Sequence, residues 1–237
     1  MVLLLTANAV SAQSLDSIIN KHIEAMGGEE KLASVQSVLM KGTMKFPDFS
    51  VKFKLTCVEN KLYKLELKLV LGKSMYSMTT DTASWEYFPN EEPALRRLPD
   101  TYTAANQLKL DIMPLFNYAQ KGYKLTLLGE DTSHEWKDSA KIDEAYRIKV
   151  EKPSGGVAMI WINAKTDLID NYTQFSTDST GLVYSSSASL YTDYRPVNGV
   201  MFPYGIVTEK NGKIDALMDV KEIDLNQPVD PKVYRLD

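Results

Sequence analysis

Along most of this chain apolar and polar residues alternate one for one. Val51, Phe53, Leu55 and Cys57 fall on one side of such a run, and Lys52, Lys54 and Thr56 on the other. Tyr63, Leu65, Leu67 and Leu69 then alternate with Lys64, Glu66 and Lys68. A period of two places one set on each face of a strand, so these runs predict antiparallel strands with one dry and one wet face. Glu59-Asn60-Lys61 is the turn between them. The same pattern predicts strands at 73–80 and 83–88, and again at 123–127, 146–150, 168–175, 182–194, 200–209 and 213–223. Residues 157–162 are apolar at every position and predict a strand covered on both faces. Asn198-Gly199 and Asn211-Gly212 are tight-turn dipeptides, because both residue types accept a positive φ.

The pattern changes period in two places. Leu15, Ile18, Ile19, His22, Ile23 and Met26 recur at helical spacing, with Ser14 or Asp16 as N-cap and Gly27-Gly28 as the stop. His22 lies on the apolar stripe with no carboxylate or second histidine one turn away on that face, so it reads as a packed, hydrogen-bonded residue rather than a ligand. Residues 101–122, after an irregular stretch containing Pro89, Pro93 and Pro99, read as a helical insertion broken at Pro114. Leu108, Ile112, Leu115, Phe116 and Ala119 share one side of it.

These connections are too short for crossover helices, so about eleven strands belong to an antiparallel sheet. In a chain of 237 residues with no repeat or linker they form one domain. A sheet of that size must curl, close or split into layers. Curled into a barrel, about eleven strands enclose more space than their own side chains fill. Either the inserted helix or a ligand then occupies the interior, and ten methionines supply apolar surface that re-packs around varied guests. A methionine-rich core without a cavity fits the same residues. On 182–194 one face reads Leu182, Tyr184, Ser186, Ala188, Leu190, Thr192 and Tyr194, small at its centre.

Composition removes several function classes. A net charge of −4 leaves no basic surplus for nucleic acid. One cysteine, Cys57, allows no internal disulfide and no thiolate metal cage. No nucleophile elbow, zinc-protease helix, phosphate loop or dinucleotide fingerprint occurs, so no catalytic residue, cofactor or metal ligand is assigned. His134, in Asp131-Thr132-Ser133-His134-Glu135, is a polar loop residue rather than part of a triad. Arg96-Arg97 reads first as a solvated pair, and second as a site for an anionic group. No segment approaches the roughly 18 apolar residues of a membrane-spanning helix. Residues 1–10 are mostly apolar, and Val10-Ser11-Ala12 resembles a cleavage site. Residues 1–12 are therefore expected to be the remnant of an export signal and 13–237 the mature domain. Gln13 stands where a lipoprotein would carry cysteine, so no lipid anchor is expected.

Three segments carry a family resemblance: IINKHIEAMGGEEKLASVQSVLMKGTM, DTASWEYFPN and DYRPVNGVMFPYGIVTEKNGK. Together they resemble the LolA-like, outer-membrane lipoprotein-sorting proteins of Gram-negative envelopes. The resemblance implies a mainly β fold, an incomplete and strongly curved antiparallel barrel with helices as its lid, whose apolar concavity takes up acyl chains. The expectation is a monomeric periplasmic carrier for acyl chains, lipoproteins or another apolar ligand, exchanging it with membrane-protein partners. An envelope sensor or protein-interaction module built on the same cavity is the alternative, and an enzyme the weaker one. The dry faces nominate Phe53, Leu55, Leu65, Leu67, Trp85, Trp161 and Tyr184 as cavity lining, with Leu115 and Phe116 in the lid.

Overall fold

The computed structural model describes residues 13–131, 144–177, 180 and 183–236. The expected export signal (1–12) and His134 lie outside the described residues. Helix α1 (Leu15–Met26) starts at Ser14, whose Oγ accepts a hydrogen bond from Ser17 N at 3.3 Å, and stops at Gly27 with φ 127°. Ile18, Ile19, His22, Ile23 and Met26 are its buried face, the stripe that the spacing picks out. A short α2 (Glu29–Ser34) follows.

Thirteen strands then form one antiparallel sheet. In chain order they are β1 (Ser37–Lys45), β2 (Ser50–Val58), β3 (Leu62–Lys68), β4 (Ser74–Thr80), β5 (Ser84–Tyr87), β6 (Leu95–Arg97) and β7 (Lys124–Asp131), followed by β8 (Ala145–Glu151), β9 (Val157–Asn163), β10 (Ile169–Thr177), β11 (Val183–Val197), β12 (Val200–Lys210) and β13 (Lys213–Leu225). Their spatial order is β6-β5-β4-β3-β2-β1-β13-β12-β11-β10-β9-β8-β7, so all paired strands are consecutive in the chain except β1 and β13. β6 and β7 are the two edges and do not pair with each other, so the sheet stays open. The count exceeds the expected eleven. The two strands outside the predicted runs are β1 and β6; β6 is three residues long and lies between Pro93 and Pro99, too short for periodicity to register.

A β-bulge between Lys41 and Gly42 bends β1 against β13. Gly42 is fixed by close approach: a Cβ there would run into the Asp219 carbonyl and lie 2.8 Å from Cε1 of Phe53. The Asn-Gly turns form as expected, with φ 50° and 81° at Asn198-Gly199 and 51° and 74° at Asn211-Gly212.

The segment joining the two edge strands is less helical than the sequence suggests. Helix α3 (Asp100–Asn106) passes into a 3₁₀ turn over Gln107–Leu110, and residues 112–122 are turns rather than helix. Besides turn bonds of its own, such as Phe116 N to Met113 O and Lys121 N to Asn117 O, the segment is tied to the turns of the sheet on both flanks. On one flank Gln107 Nε2 donates to Asp81 O (2.5 Å), Asn60 N to Leu110 O (2.8 Å) and Ile112 N to Glu59 Oε2 (2.8 Å). On the other, Lys152 Nζ donates to Gln107 O (2.9 Å), and Gly156 lets the Ala104 carbonyl sit 2.7 Å from where a Cβ would be. The segment thus spans from the β2–β3 and β4–β5 turns to the β8–β9 turn, across the seam that the sheet leaves open.

The two faces of the sheet have separate cores. On the concave face α1, α2 and the 100–122 segment cover a large cluster that includes Ile148, Val150, Ile160 and Ile162, all fully buried. On the opposite face of β3–β5 a small cluster of Leu62, Tyr76 and Met78 is covered by Val233 and Leu236. That strap is held by Lys64 Nζ, which donates to Val233 O (3.0 Å) and Arg235 O (3.3 Å), and by Tyr76 Oη, which donates to Leu236 O (2.7 Å).

Candidate functional site

The concave side encloses a cavity of about 340 Å³, within the range of about 300–1,000 Å³ typical of small-molecule pockets. Its walls come from α1 and α2 (Ile23, Met26, Leu32), from β1–β4, from the segment across the seam, and from β10–β13. Six of the ten methionines line it: Met26, Met40, Met44, Met113, Met201 and Met218. A flexible thioether wall can re-pack about an apolar guest.

Cross-strand register explains which residues reach the cavity. Leu65 pairs with Leu55 and Leu55 with Met40; Tyr63 pairs with Cys57 and Cys57 with Val38. Directly paired residues share a face, so these form two continuous rows across the wall. On the far wall, Tyr172 pairs with Ser189 and Ser189 with Thr208, Gln174 with Ser187, and Tyr191 with Ile206.

Of the nine residues nominated by the dry faces, Leu55, Leu65 and Phe116 lie on the cavity wall. Phe53, Leu67 and Leu115 are packed in the core beside it. Trp85 is on the opposite face, where its register partner is Met78 and the strap cluster covers it. Its strand has a dry outer face because the C-terminal residues shield it, which alternation alone does not distinguish from a concave one. Trp161 pairs with Asn171, opposite in parity to Tyr172 and Ile160, so it too faces away from the cavity; its strand is apolar at every position and offers no parity to read. Tyr184 lies in β11, and its side chain is outside the described residues. On β11 the cavity face is Ser187, Ser189 and Tyr191, the set opposite to that chosen from the sequence. Among the described side chains of the chosen set only Tyr194 joins it, after Asp193 turns the strand at φ 54°.

Alternation puts Cys57 and Tyr63 on dry faces, but it does not bring the polar lining together. Tyr63, Tyr172, Tyr191 and Tyr194 converge on the cavity, and burial raises all four phenols above their ordinary range, Tyr191 to about 12. Burial likewise pushes the Cys57 thiol up to about 12. These groups stay protonated at neutral pH, so the wall presents hydroxyl donors and no thiolate or phenolate nucleophile. Tyr194 Oη donates to Ile169 O at 2.8 Å. Gln174 is 95% buried, and its Nε2, though near enough to Tyr172 to favour that phenolate, makes no well-formed hydrogen bond. Lys109 reaches the cavity from the 3₁₀ turn, its ammonium 5.4 Å from the centre of the Tyr63 ring. The one carboxylate buried in the lid, Asp111, is engaged by Lys121 Nζ at 2.8 Å. Arg96 and Arg97 are exposed on β6 and pair with Glu91 and Asp100, away from the lining. Among the described residues no group of three or more His, Cys, Asp or Glu is placed to hold a metal ion, and no helix is long and apolar enough to cross a membrane.

His22 lines the cavity and donates from Nδ1 to Asp167 O at 2.8 Å. Burial holds its imidazole below the ordinary 6.5, outweighing the hydrogen bond and the nearby Asp167 charge. The unfolded chain therefore binds this proton more readily than the folded one. Its share of stability is complete above about pH 6.5 and is lost as the pH falls through the lower folded value. Urea midpoints measured between pH 7.5 and 5 should decline on acidification, and His22→Gln should flatten that decline; an equal slope in the variant would assign it to other groups.

No family model and no curated protein matches this sequence. Solved structures do. A LolA superfamily protein from Nitrosomonas europaea superposes with a TM-score of 0.55 at 14% identity, covering 94% of this chain and 98% of that one. A DUF1329 family protein from Desulfovibrio piger gives 0.57 at 10% identity, with 93% and 97% covered. A putative outer membrane lipoprotein-sorting protein domain from Vibrio parahaemolyticus gives 0.54 at 10%, with 91% and 93% covered. The chain has a LolA-like fold, an open antiparallel sheet wrapped about a lidded interior.

Proposed function

We propose that this protein is a binding protein or carrier for an acyl chain or comparably apolar molecule, held in the concave cavity and released intact. The observation that carries this reading is the methionine-lined space of about 340 Å³ between the sheet and the segment across its seam. The driving force is desolvation: each methylene withdrawn from water contributes about 0.8 kcal/mol. The LolA-like fold shared with a lipoprotein-sorting domain supports the same reading. The chemistry of the wall supports binding over catalysis, since its phenols and thiol are held protonated by burial. We place the carrier in the periplasm on the apolar run at 1–10 and the small residues at 10 and 12.

The test uses N-phenyl-1-naphthylamine, a neutral apolar fluorophore that brightens on leaving water. The native protein should enhance its emission saturably. Ser189→Phe, which places a ring in the cavity from its half-buried wall, should weaken binding at least tenfold while leaving the unfolding midpoint near native. No enhancement by the native protein would discard the carrier reading. Mass spectrometry of extracts from natively purified protein would identify the resident molecule.

A further inference from the structure

The cavity wall is not uniformly apolar, and one of its polar groups is a cation. Lys109 brings an ammonium to the wall that carries the neutral hydroxyls of Tyr63 and Ser77, with Tyr191 and Gln174 on the far wall. Among the described residues the Lys109 ammonium makes no hydrogen bond and no ion pair; its one close contact is the face of the Tyr63 ring. Glu86 is near enough to favour its charged form but forms no ion pair with it among the described residues. Two other acids touch the cavity: Asp111 is already neutralised by Lys121 at 2.8 Å, and Asp215 is exposed. Gln174 Nε2 is a second buried donor without a well-formed hydrogen bond. Lys109 thus brings a half-buried ammonium to the cavity with no counter-charge in ion-pair contact, which is costly to leave so.

We propose that the ligand is an anionic amphiphile whose carboxylate or phosphate head is held by Lys109, with the Tyr63 hydroxyl beside it and Tyr191 and Gln174 on the facing wall, and whose tail lies among the methionines. This inference rests on the carrier reading and deepens it. An anionic head supplies the counter-charge that Lys109 lacks, and a charge-assisted hydrogen bond in a partly dry site favours it over an uncharged head. The tail supplies affinity and the head supplies selection, because a neutral head leaves the ammonium buried without a counter-charge.

The experiment compares dodecanoate, dodecyl phosphate and dodecanol, which share one tail, by competition against N-phenyl-1-naphthylamine. The full chain should bind at least one of the two acids ten or more times tighter than dodecanol, and the arm that wins tells carboxylate from phosphate. Lys109→Met should bring acid binding down to the dodecanol level, and Gln174→Leu should narrow the gap part of the way. Equal binding of acids and dodecanol by the native protein would overturn the head-group site and leave the carrier reading standing. An acid preference that survives Lys109→Met would overturn the assignment to Lys109. Should none of the three displace the probe, the carrier reading falls and this inference with it. The comparison of heads on the native chain needs no variant, so it decides the matter even where a substitution disturbs folding.

Discussion

Lys121→Met should cost about 3 kcal/mol of folding stability, the lower end of the roughly 3–5 kcal/mol seen when one partner of a buried ion pair is removed. Lys121 Nζ lies 2.8 Å from Asp111 Oδ1 and 3.6 Å from Glu59 Oε1, and it donates to Met113 O at 3.0 Å. The Asp111 side chain is fully buried while that of Lys121 retains 18% exposure, which is why the lower figure applies. Without the ammonium, the Asp111 carboxylate stays in the lid facing Glu59, whose own pKa is already raised by burial and by the Asp111 charge. The loss should appear as a lower urea midpoint at pH 7. Asp111→Asn added to Lys121→Met should restore most of it, because the stranded charge is gone. If the double variant is no more stable than the single one, the pair contributes packing and not charge compensation. Since this cluster ties the lid to the β2–β3 turn, probe release should also be faster in Lys121→Met than in the native protein.

Leu115→Ala should be almost as damaging, by about 2–5 kcal/mol, because it removes a side chain that is 1% exposed in the main core. Phe116→Ala should cost less than half as much in the same urea titration and act mainly on binding, since its half-buried ring is part of the cavity wall. The neighbours thus separate stability from function. Leu115→Ala with a native midpoint, or Phe116→Ala with native probe affinity, would refute the division.

The separation of Leu115 from Phe116 marks where local pattern stops being informative. Both sit on the apolar side of a segment that reads as helix, and a helix would have turned them to one surface. The segment is instead a series of turns pinned by Glu59, Asn60 and Asp81, so adjacent side chains diverge into core and cavity. Trp85 shows the same limit in a strand: its face is dry, but Val233 and Leu236 dry it from outside. Lys109, flanked by Leu108 and Leu110, carries no local mark of its position. Gln174 is a polar residue on a strand in which Tyr172 and Ser176 share its parity, a weak sign of a lined interior.

Residue order alone determined the strand grammar, the Asn-Gly turns, the α1 stripe and the antiparallel sheet, because period, capping and turn conformation act over a few neighbouring residues. Only the tertiary structure decided which face is concave, what closes the seam between β6 and β7, and which side chains meet in the cavity. A strand's two faces are equivalent until something packs on them, and here the covering pieces arrive from residues 100–122 and 231–236, far along the chain from the strands they cover.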